Sequence, residues 1–325
     1  MVVSSSLALP LHSLTFPLAF SLGVWLVEWH LSIGNVNIDF SFILDSYPAP
    51  GINVVARGLW FGVGGASVNY ASCIVRLGGR ASVVSLVDPF VVKLGVLEWL
   101  SILGVDVSYV RVVEGEPNIA VILMVPGESL RTIISYRGVS RRLDPSMIPD
   151  VGGHVHFASV NPKLIVDAGG KLEGRTSSYD PGGEVLGDPV GVRKAITRVD
   201  RVFLNEKELE ALLGTSNPLE ARSLLKGRTS IAIVKRGPKG AIAITRGEAI
   251  EVKAPKIGKP VDVVGTGDAF NAAFNIYYDR TKDIGEALKH AVAAGTLKTL
   301  IRGSSNMPSR EEVEKLASQL HLVKL

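Results

Sequence analysis

Apolar and polar positions alternate with two different periods along the chain from about residue 28 onward. Short apolar runs rich in β-branched residues predict strands, and longer stretches with apolar residues three and four apart predict helices. The clearest helices are predicted at 67–77 and 90–103, and the clearest strands at 81–87, 155–158, 177–180, 201–204 and 231–234. This alternation predicts an α/β fold with a doubly wound, mostly parallel sheet flanked by helices.

Two stretches, 40–63 and 117–137, interrupt that alternation with mixed apolar and polar positions, as in strands exposed on one face. The second stretch holds two extended runs around Pro126-Gly127-Glu128, which is a hairpin signal. Before them, residues 30–39 are predicted as one strand that ends in a polar turn. We expect the two stretches to pair into a small β-sheet lid outside the main body of a single domain, residues 28–325.

Composition excludes several functional classes. The 325 residues carry 35 Lys plus Arg against 31 Asp plus Glu, a net charge of only +4. No basic run tracks a phosphate backbone, so we expect no nucleic-acid partner. The single cysteine, Cys73, cannot form an internal disulfide, and we expect it to be a small core residue of a cytoplasmic protein.

Residues 1–27 form an apolar leader that contains Pro10 and Pro17 but no Lys or Arg. A secretory signal needs a positive first region, and a membrane-spanning helix tolerates two prolines poorly. We therefore interpret the leader as the product of a start assigned upstream of the true one, and we expect no membrane partner. A hydrophobic anchor is the alternative.

The segment 261–274 contains the strongest chemical signal, Val264-Gly265-Thr266-Gly267-Asp268, in which an extended run leads through two glycines into a helix. Glycines let backbone N–H groups converge, and a helix N-terminus adds partial positive charge, so an anion such as a transferring phosphoryl group would be stabilised there. Asp268 could then accept the proton of an acceptor hydroxyl. By itself the motif is better explained as a tight turn with Asp268 as N-cap, because such turns are common.

Two other strand-to-helix junctions carry polar residues of the same kind. Gly64-Gly65 and Asn69 open one helix, where an amide could bind hydroxyl groups. Asn205 and Glu208 open another, where an amide and a carboxylate three apart could hold Mg²⁺ on phosphates. Taken alone, the first junction is better explained as an ordinary strand-to-helix turn, and the second also satisfies the pattern of a helix cap with a Glu in the first turn.

In combination and in this order, the three junctions resemble the ribokinase-like (PfkB) carbohydrate kinase family over about residues 31–323. The resemblance implies a kinase that uses ATP and Mg²⁺, with Asp268 as catalytic base and Gly265, Thr266 and Gly267 as anion hole. It implies a sugar acceptor near Asn37, Asp39, Gly65 and Asn69, and nucleotide contacts from Asn205, Lys235, Gly237 and Gly240. Glu208 and Asp262 are the implied metal residues, and the small sheet is expected to form a homodimer interface.

The sequence also departs from the family pattern. Thr266 stands where Ala is usual and Val263 where Thr is usual, and the segment 86–91 lacks the usual Gly-Asp turn. The stretch 302–308 differs from its common form. Because that stretch often builds a monovalent-cation site with the residue matching Asp262, activation by K⁺ stays open.

The acceptor is not named by these motifs. Four arginines in and after the second lid stretch could face solvent, or could grip a phosphate already on the acceptor: Arg131, Arg137, Arg141 and Arg142. The second interpretation makes fructose 6-phosphate, a glycolytic sugar phosphate, the first candidate. Ribose, a nucleoside and 2-keto-3-deoxygluconate are the alternatives, and an inactive nucleotide-binding regulator is the alternative of another class.

Two negative expectations complete the sequence-based prediction. His154 and His156 share one face of a strand without an evident third ligand, so they are predicted to be hydrogen-bonded core residues rather than metal ligands. No Gly-x-x-x-x-Gly-Lys-Ser/Thr motif occurs, which excludes a P-loop kinase.

Overall fold

The computed structural model describes residues 29–126 and 131–325, so the leader at 1–27 and the tip of the second hairpin lie outside the described part. The strands are β1 (Trp29–Gly34), β2 (Asn37–Ile43), β3 (Gly58–Gly64), β4 (Arg80–Val87), β5 (Val110–Val112), β6 (Asn118–Met124), β7 (Arg131–Arg137), β8 (His154–Ala158), β9 (Thr176–Asp180), β10 (Arg201–Asn205), β11 (Ile231–Lys235), β12 (Ala241–Ile244), β13 (Ala249–Val252) and β14 (Leu322–Lys324). The α-helices are α1 (Ala66–Arg76), α2 (Pro89–Lys93), α3 (Val96–Ile102), α4 (Pro162–Asp167), α5 (Glu184–Gly187), α6 (Pro189–Ile196), α7 (Glu206–Leu213), α8 (Thr266–Thr281), α9 (Ile284–Lys298) and α10 (Arg310–Ala317).

Ten strands form the larger sheet, in the order β14-β13-β12-β11-β10-β9-β8-β1-β4-β5. Neighbouring strands are parallel from β5 to β11, and β12, β13 and β14 extend the sheet in antiparallel fashion. Successive residues of β10 enter opposite cores, with Phe203 among α1, α8 and α9 and Leu204 among the helices of the other face. Helices therefore cover both faces, which confirms the predicted doubly wound α/β fold.

Four strands form the smaller sheet, in the order β3-β2-β6-β7. It consists of two antiparallel hairpins, β2–β3 and β6–β7, joined by parallel pairing of β2 with β6. The two stretches at 40–63 and 117–137 thus pair as expected. The prediction of one strand at 30–39 was wrong, because the chain passes there from β1 of the larger sheet to β2 of the smaller one.

The helix predicted at 90–103 is also divided, into α2 and α3. Gly95 lies between them with a left-handed φ of 79°, which interrupts the helical hydrogen bonds. In the described ranges, 29–126 and 131–325, no helix combines the length and the hydrophobicity that crossing a membrane requires.

A buried polar network fastens α8 to the sheet. Asn275 donates from Nδ2 to Ser178 Oγ at 2.9 Å, and the Arg201 guanidinium bonds both Asn275 and Asp279. His154 donates to or accepts from Thr176 Oγ1 at 2.7 Å and Ser178 Oγ at 2.8 Å, as predicted for a core histidine. Buried groups of this kind must be hydrogen-bonded, so the network allows few positions of α8 relative to the strands.

Candidate active site

The first turn of α8 lies beside the carboxyl ends of β9 and β11. Lys235 is the last residue of β11, and its Nζ lies 3.4 Å from the position that a Cβ on Gly267 would take. Asp180 is the last residue of β9, and its Oδ2 accepts from Lys235 Nζ at 2.5 Å. In an open parallel sheet this edge is where ligands bind.

Gly265 starts α8 in a conformation that only glycine adopts easily. Its φ is 79°, and a Cβ there would lie 2.4 Å from the carbonyl oxygen of Ser304. The next residue, Thr266, donates from Oγ1 to the Val263 carbonyl at 3.0 Å, which closes the turn. The free N–H groups of the first helical turn, together with the nearby Lys235 ammonium, make this turn suited to an anion.

Asp268 lies in the same turn and is hydrogen-bonded to α1, the helix that directly follows β3. Its Oδ2 accepts from Asn69 Nδ2 at 2.8 Å. Burial, with a further contribution from Asp180, raises the pKa of Asp268 to about 6, although the Asn69 bond, Lys235 and Arg131 act in the opposite direction. A carboxylate with a pKa close to neutrality is suited to taking up a proton.

Three buried side-chain oxygens on the neighbouring elements have no hydrogen-bond partner among the described residues: Asn37 Oδ1, Asp39 Oδ1 and Asn69 Oδ1. Asn37 and Asp39 project from the same face of β2, since they are two residues apart. Buried polar groups in native proteins are normally satisfied. These oxygens are therefore placed to accept hydrogen bonds from a bound molecule with several hydroxyl groups.

Close packing around Asp39 explains the pair of glycines at the start of α1. A Cβ on Gly64 would lie 1.8 Å from Asp39 Oδ2, and one on Gly65 would lie 2.2 Å from the Asn35 carbonyl oxygen. Asp39 Oδ2 also accepts from Ser304 Oγ at 2.9 Å. Burial, with contributions from the carboxylates of Asp262 and Asp268, raises the pKa of Asp39 to about 7, although the Ser304 hydrogen bond acts in the opposite direction.

Asp180 and Asn271 are site residues that the sequence-based prediction missed. Asn271 Nδ2 donates to Asp180 Oδ2 at 2.6 Å, on the carboxylate that already binds Lys235. Burial favours the neutral form of Lys235, but Asp180 and Glu208 outweigh it and raise the pKa of the ammonium. A signal was present, because Asp180 ends a predicted strand and precedes Pro181-Gly182-Gly183, a turn at the ligand-binding edge.

Asn205 and Glu208 form a reciprocal capping box at the start of α7. Glu208 N donates to Asn205 Oδ1 at 2.9 Å, and Asn205 N donates to Glu208 Oε2 at 2.8 Å. Burial, then Asp180, raise the pKa of Glu208 to about 7, while Lys235 lowers it. The capping role is thus established, and the remaining oxygen Oε1 is the part of this carboxylate that a divalent cation could use. The charge of such a cation would favour the ionised form.

The predicted nucleotide loop divides into two parts. Lys235 lies at the first turn of α8, whereas Gly237 and Gly240 form the reversal between β11 and β12. Gly240 has a φ of 97°, and a Cβ there would lie 2.0 Å from the Val252 carbonyl oxygen. The structure therefore supplies a steric reason for Gly240 that is independent of any nucleotide.

Asp262 and Glu208 are the two predicted metal residues, and their carboxylates have different hydrogen-bond partners. Its Oδ1 accepts from Val264 N at 2.9 Å and its Oδ2 from Gly303 N at 2.9 Å, so it ties the approach to α8 to the loop after α9. Glu208 instead lies near Asp180 and Lys235. Among the described residues, no group of three or more His, Cys, Asp and Glu side chains could by itself hold a metal ion.

The four arginines of the predicted phosphate grip do not converge. Arg131 is partly buried and lies in the electrostatic field of Asp262 and Asp268. Arg137 forms an ion pair with Glu184 and lines, with Arg141, a separate cavity of about 480 Å³. Arg142 is exposed and donates to the Glu114 carbonyl at 2.7 Å. Positive charge is therefore found at two separate places, at Arg131 near the carboxylates and at Arg137 with Arg141 in the other cavity.

Two comparisons of the sequence with known proteins give matches over most of the chain. A family model described as pfkB family carbohydrate kinase matches residues 30–311. An ATP-dependent ribose-1-phosphate kinase of Halopiger xanaduensis is 27% identical over 295 residues, which cover 89% of this chain and 98% of that protein.

Solved structures share the fold. The nucleoside kinase of Methanocaldococcus jannaschii superposes with a TM-score of 0.80 at 23% identity, covering 90% of this chain and 98% of that one. Arabidopsis thaliana ribokinase, solved in complex with ribose and ATP, superposes with a TM-score of 0.75 at 23% identity, covering 89% and 98%.

The raised pKa of Asp268 predicts that Asp268→Asn stabilises the protein above pH 6. A carboxyl whose pKa is higher in the folded state binds its proton more tightly there, so stability falls as pH rises from about 4 to about 6. With the pKa moving from 3.8 to about 6, the variant should gain up to about 3 kcal/mol at pH 8 and nothing at pH 4.

Urea unfolding of both proteins from pH 4 to pH 8 measures this difference. Asp144 supplies the control of opposite sign, because the hydrogen bond from Ser146 lowers its pKa. Asp144→Asn should therefore be less stable than wild type by a constant amount from pH 4 to pH 8, because a carboxyl with a lowered pKa contributes stability that is fully present above its unfolded pKa. Equal stability of Asp268→Asn and wild type at every pH would show that the Asp268 carboxyl is not perturbed.

Proposed function

The chain belongs to the pfkB family of carbohydrate kinases, and from that premise we propose that it transfers the γ-phosphate of ATP to a hydroxyl group of a pentose, a pentose phosphate or a nucleoside. One observation carries the proposal. Asp268 stands in the first turn of α8 and accepts a hydrogen bond from Asn69, whose Oδ1 is, with Asn37 Oδ1 and Asp39 Oδ1, one of three buried oxygens without a partner.

The reaction follows from that placement. Hydroxyl groups of the acceptor donate to the three free oxygens, which orients the reacting hydroxyl toward Asp268. The carboxylate of Asp268 takes its proton as the hydroxyl oxygen bonds to the γ-phosphorus and the bond to the ADP oxygen breaks. The N–H groups at Gly265–Gly267 and the Lys235 ammonium stabilise the charge that develops on the transferring group.

Mg²⁺ would be held mainly by the phosphates of ATP, with Glu208 and Asn205 as the protein groups nearest to it. This arrangement agrees with the usual preference of Mg²⁺ for few protein ligands and several waters or phosphate oxygens. The cation supplies charge neutralisation on the phosphates when it is bound. Lys235 and Asp180 then fix the position of the anion-binding turn from the sheet side.

We assign the smaller sheet as a lid over the acceptor. Asn37 and Asp39 on β2, and Arg131 and Arg137 on β7, fall on one face of the sheet by the strand register. Closure of such a face excludes water and strengthens the electrostatic interactions beneath it. Arg131 would then lie close to the carboxylates of Asp262 and Asp268, whose charges act to raise its pKa in the present structure.

The acceptor is best sought among pentose compounds. The relatives described above are named for ribose 1-phosphate, nucleosides and ribose, and they do not support fructose 6-phosphate. The arginine cluster that favoured fructose 6-phosphate is dispersed in the structure. An inactive regulator is the weaker alternative, because the hydrogen bond from Asn69 to Asp268 and the Lys235–Asp180 pair keep the proposed chemistry in place.

Replacing the base provides the first test of this function. We expect Asp268→Asn to lower kcat by at least ~10²-fold, the usual contribution of a general base, while ATP still binds. Coupled ADP release measures kcat, and calorimetry measures ATP binding. Asp144→Asn, an exposed substitution of the same type, is the matched control, and near-normal turnover of Asp268→Asn would contradict the assignment.

The acceptor is tested with a panel of ribose, ribose 1-phosphate, adenosine, fructose 6-phosphate and 2-keto-3-deoxygluconate. If a phosphate on the acceptor enters the cavity at Arg137, then Arg137→Ala should lower kcat/KM for that phosphorylated sugar by roughly 30-fold or more, because a buried charged hydrogen bond is lost. Arg142→Ala is the exposed control and should change it by a few-fold at most, since exposed pairs contribute ~0–1 kcal/mol.

The two kinds of acceptor give different outcomes in this test. A phosphate grip predicts loss on the phosphorylated sugar alone, with ribose unaffected. Equal loss on both sugars, or no loss on either, would leave an unphosphorylated pentose or a nucleoside as the acceptor.

The outer face of the lid supports a second proposal, a homodimer. By the strand register, Phe61, Phe40, Val121 and Ile134 form one apolar row across all four strands. Phe61 is 52% exposed and Ile134 is 59% exposed. A continuous apolar row on a sheet face is typical of an interaction surface, and a second copy of the same face would cover it symmetrically.

Light scattering coupled to size exclusion tests the dimer. We expect wild type to elute as a dimer and Phe61→Glu as a monomer, because the charge would be buried in the interface. Val323→Glu is the matched control, since Val323 is 49% exposed on β14, at the far edge of the larger sheet. A wild-type monomer at high protein concentration would contradict the proposal.

A further inference from the structure

Lys298 is a charged residue that the mechanism above does not use. It is the last residue of α9, and its side chain is among the largest that are fully buried, with 0% exposure. Taking an ammonium group out of water costs several kcal/mol unless other groups compensate. The position of Lys298 therefore needs a physical explanation.

A lysine at the end of a helix can have the ordinary role of capping. Lys298 Nζ donates to the Ile301 carbonyl at 3.0 Å, just beyond the last turn of α9. Such lysines interact favourably with the negative end of the helix dipole. They normally keep the ammonium in water, however, whereas this one is enclosed, so capping alone does not explain its burial.

The buried side chain of Lys298 packs against the first turn of α8, the turn proposed to bind the transferring phosphoryl group. Lys298 Cε lies 3.4 Å from the position that a Cβ on Gly265 would take, and the Ser304 carbonyl oxygen lies 2.4 Å from the same point. The side chain and the loop after α9 thus both pack against the glycine that starts α8. Burial lowers the pKa of Lys298, while Asp262 and Asp268 oppose that shift, so both carboxylates favour its charged form.

A K⁺ ion in this region does not agree with the groups present. The family resemblance places a monovalent cation between Asp262 and the stretch 302–308. In this chain both Asp262 oxygens already accept backbone N–H groups, from Val264 and Gly303, and the Ile301 carbonyl accepts from Lys298. A second cation would also share its enclosure with an ammonium group, and like charges repel strongly away from water.

We propose that the Lys298 ammonium is a built-in substitute for the monovalent cation, which makes phosphoryl transfer by this protein independent of K⁺. Lys298 acts as a positioning residue. By bonding Ile301 and offsetting the charge of Asp262, it holds the loop 301–304 against Gly265, and so it orients the N–H groups of the anion-binding turn. The inference rests on the proposed kinase function for its kinetic readout but not for its binding readout.

The first experiment exchanges the salt around the wild-type protein. Activity is measured in KCl, NaCl and choline chloride at one ionic strength, so that general screening is constant. We expect kcat to differ by less than about twofold between the salts, because the charge is supplied by the chain itself. A fall of about tenfold or more in the absence of K⁺ would overturn the proposal whatever the variants show.

The second experiment removes the ammonium with Lys298→Met and compares it with Lys289→Met on the same helix. We expect Lys298→Met to lose at least about tenfold in kcat in choline chloride with little change in KM, because misaligned N–H groups affect the transition state most. K⁺ or NH₄⁺ should restore part of that loss, and Lys289→Met should behave as wild type in every salt. Wild-type kcat of Lys298→Met in choline chloride would overturn the proposal.

A binding readout separates failure of this inference from failure of the proposed function. K⁺ should raise the Tm of Lys298→Met, relative to choline, and leave the Tm of wild type unchanged, since a ligand stabilises only a protein that binds it. This measurement needs no turnover, so it decides the question even if no acceptor is phosphorylated. A K⁺-dependent rise in the Tm of wild type would overturn the proposal, and should Lys298→Met not fold, the wild-type salt series decides it.

Discussion

Crowding of buried negative charge around the first turn of α8 is the constraint on which the rest of the site depends. Five carboxyl groups gather there, and burial raises the pKa of three of them to between about 6 and about 7. Like charges away from water cannot all ionise unless cations lie beside them. The protein supplies these cations from three separate elements: Lys235 from β11, Arg131 from β7 and Lys298 from α9.

That distribution of charge divides the site into two sides. Asp180 and Glu208 lie with Lys235 on the side proposed for the nucleotide, whereas Asp39 and Asp262 lie on the side proposed for the acceptor. Asp268 interacts electrostatically with both sides, since Asp180 and Lys235 affect its pKa and its own charge affects the pKa of Asp39. In the free protein, burial raises the pKa of Glu208 and Asp268, and a cation bound with ATP would favour the ionised carboxylates on the nucleotide side. Such sites commonly reduce stability in exchange for activity.

The smaller sheet shows how the two-residue period of a strand can serve two purposes. By the strand register, one face carries Asn37, Asp39, Arg131 and Arg137, and the other carries the apolar row of Phe61, Phe40, Val121 and Ile134. Covering the apolar row with a second copy would stiffen the same strands that carry Asn37 and Asp39. Dimer formation and acceptor binding would in that case depend on one element of structure.

The sequence by itself determined the α/β alternation, the two hairpins of the smaller sheet and the junctions that contain Asn69, Asn205 and Asp268, because strand period, helix period and glycine turns are local properties. It could not determine contacts between distant parts of the chain. Lys235 meets Asp180 across 55 residues, and Lys298 is buried where the end of α9 packs against Gly265 at the start of α8. The passage of residues 30–39 between two sheets, and the separation of Arg131 from Arg137, were likewise decided by tertiary structure, since a local pattern does not say which sheet or which cavity a side chain will join.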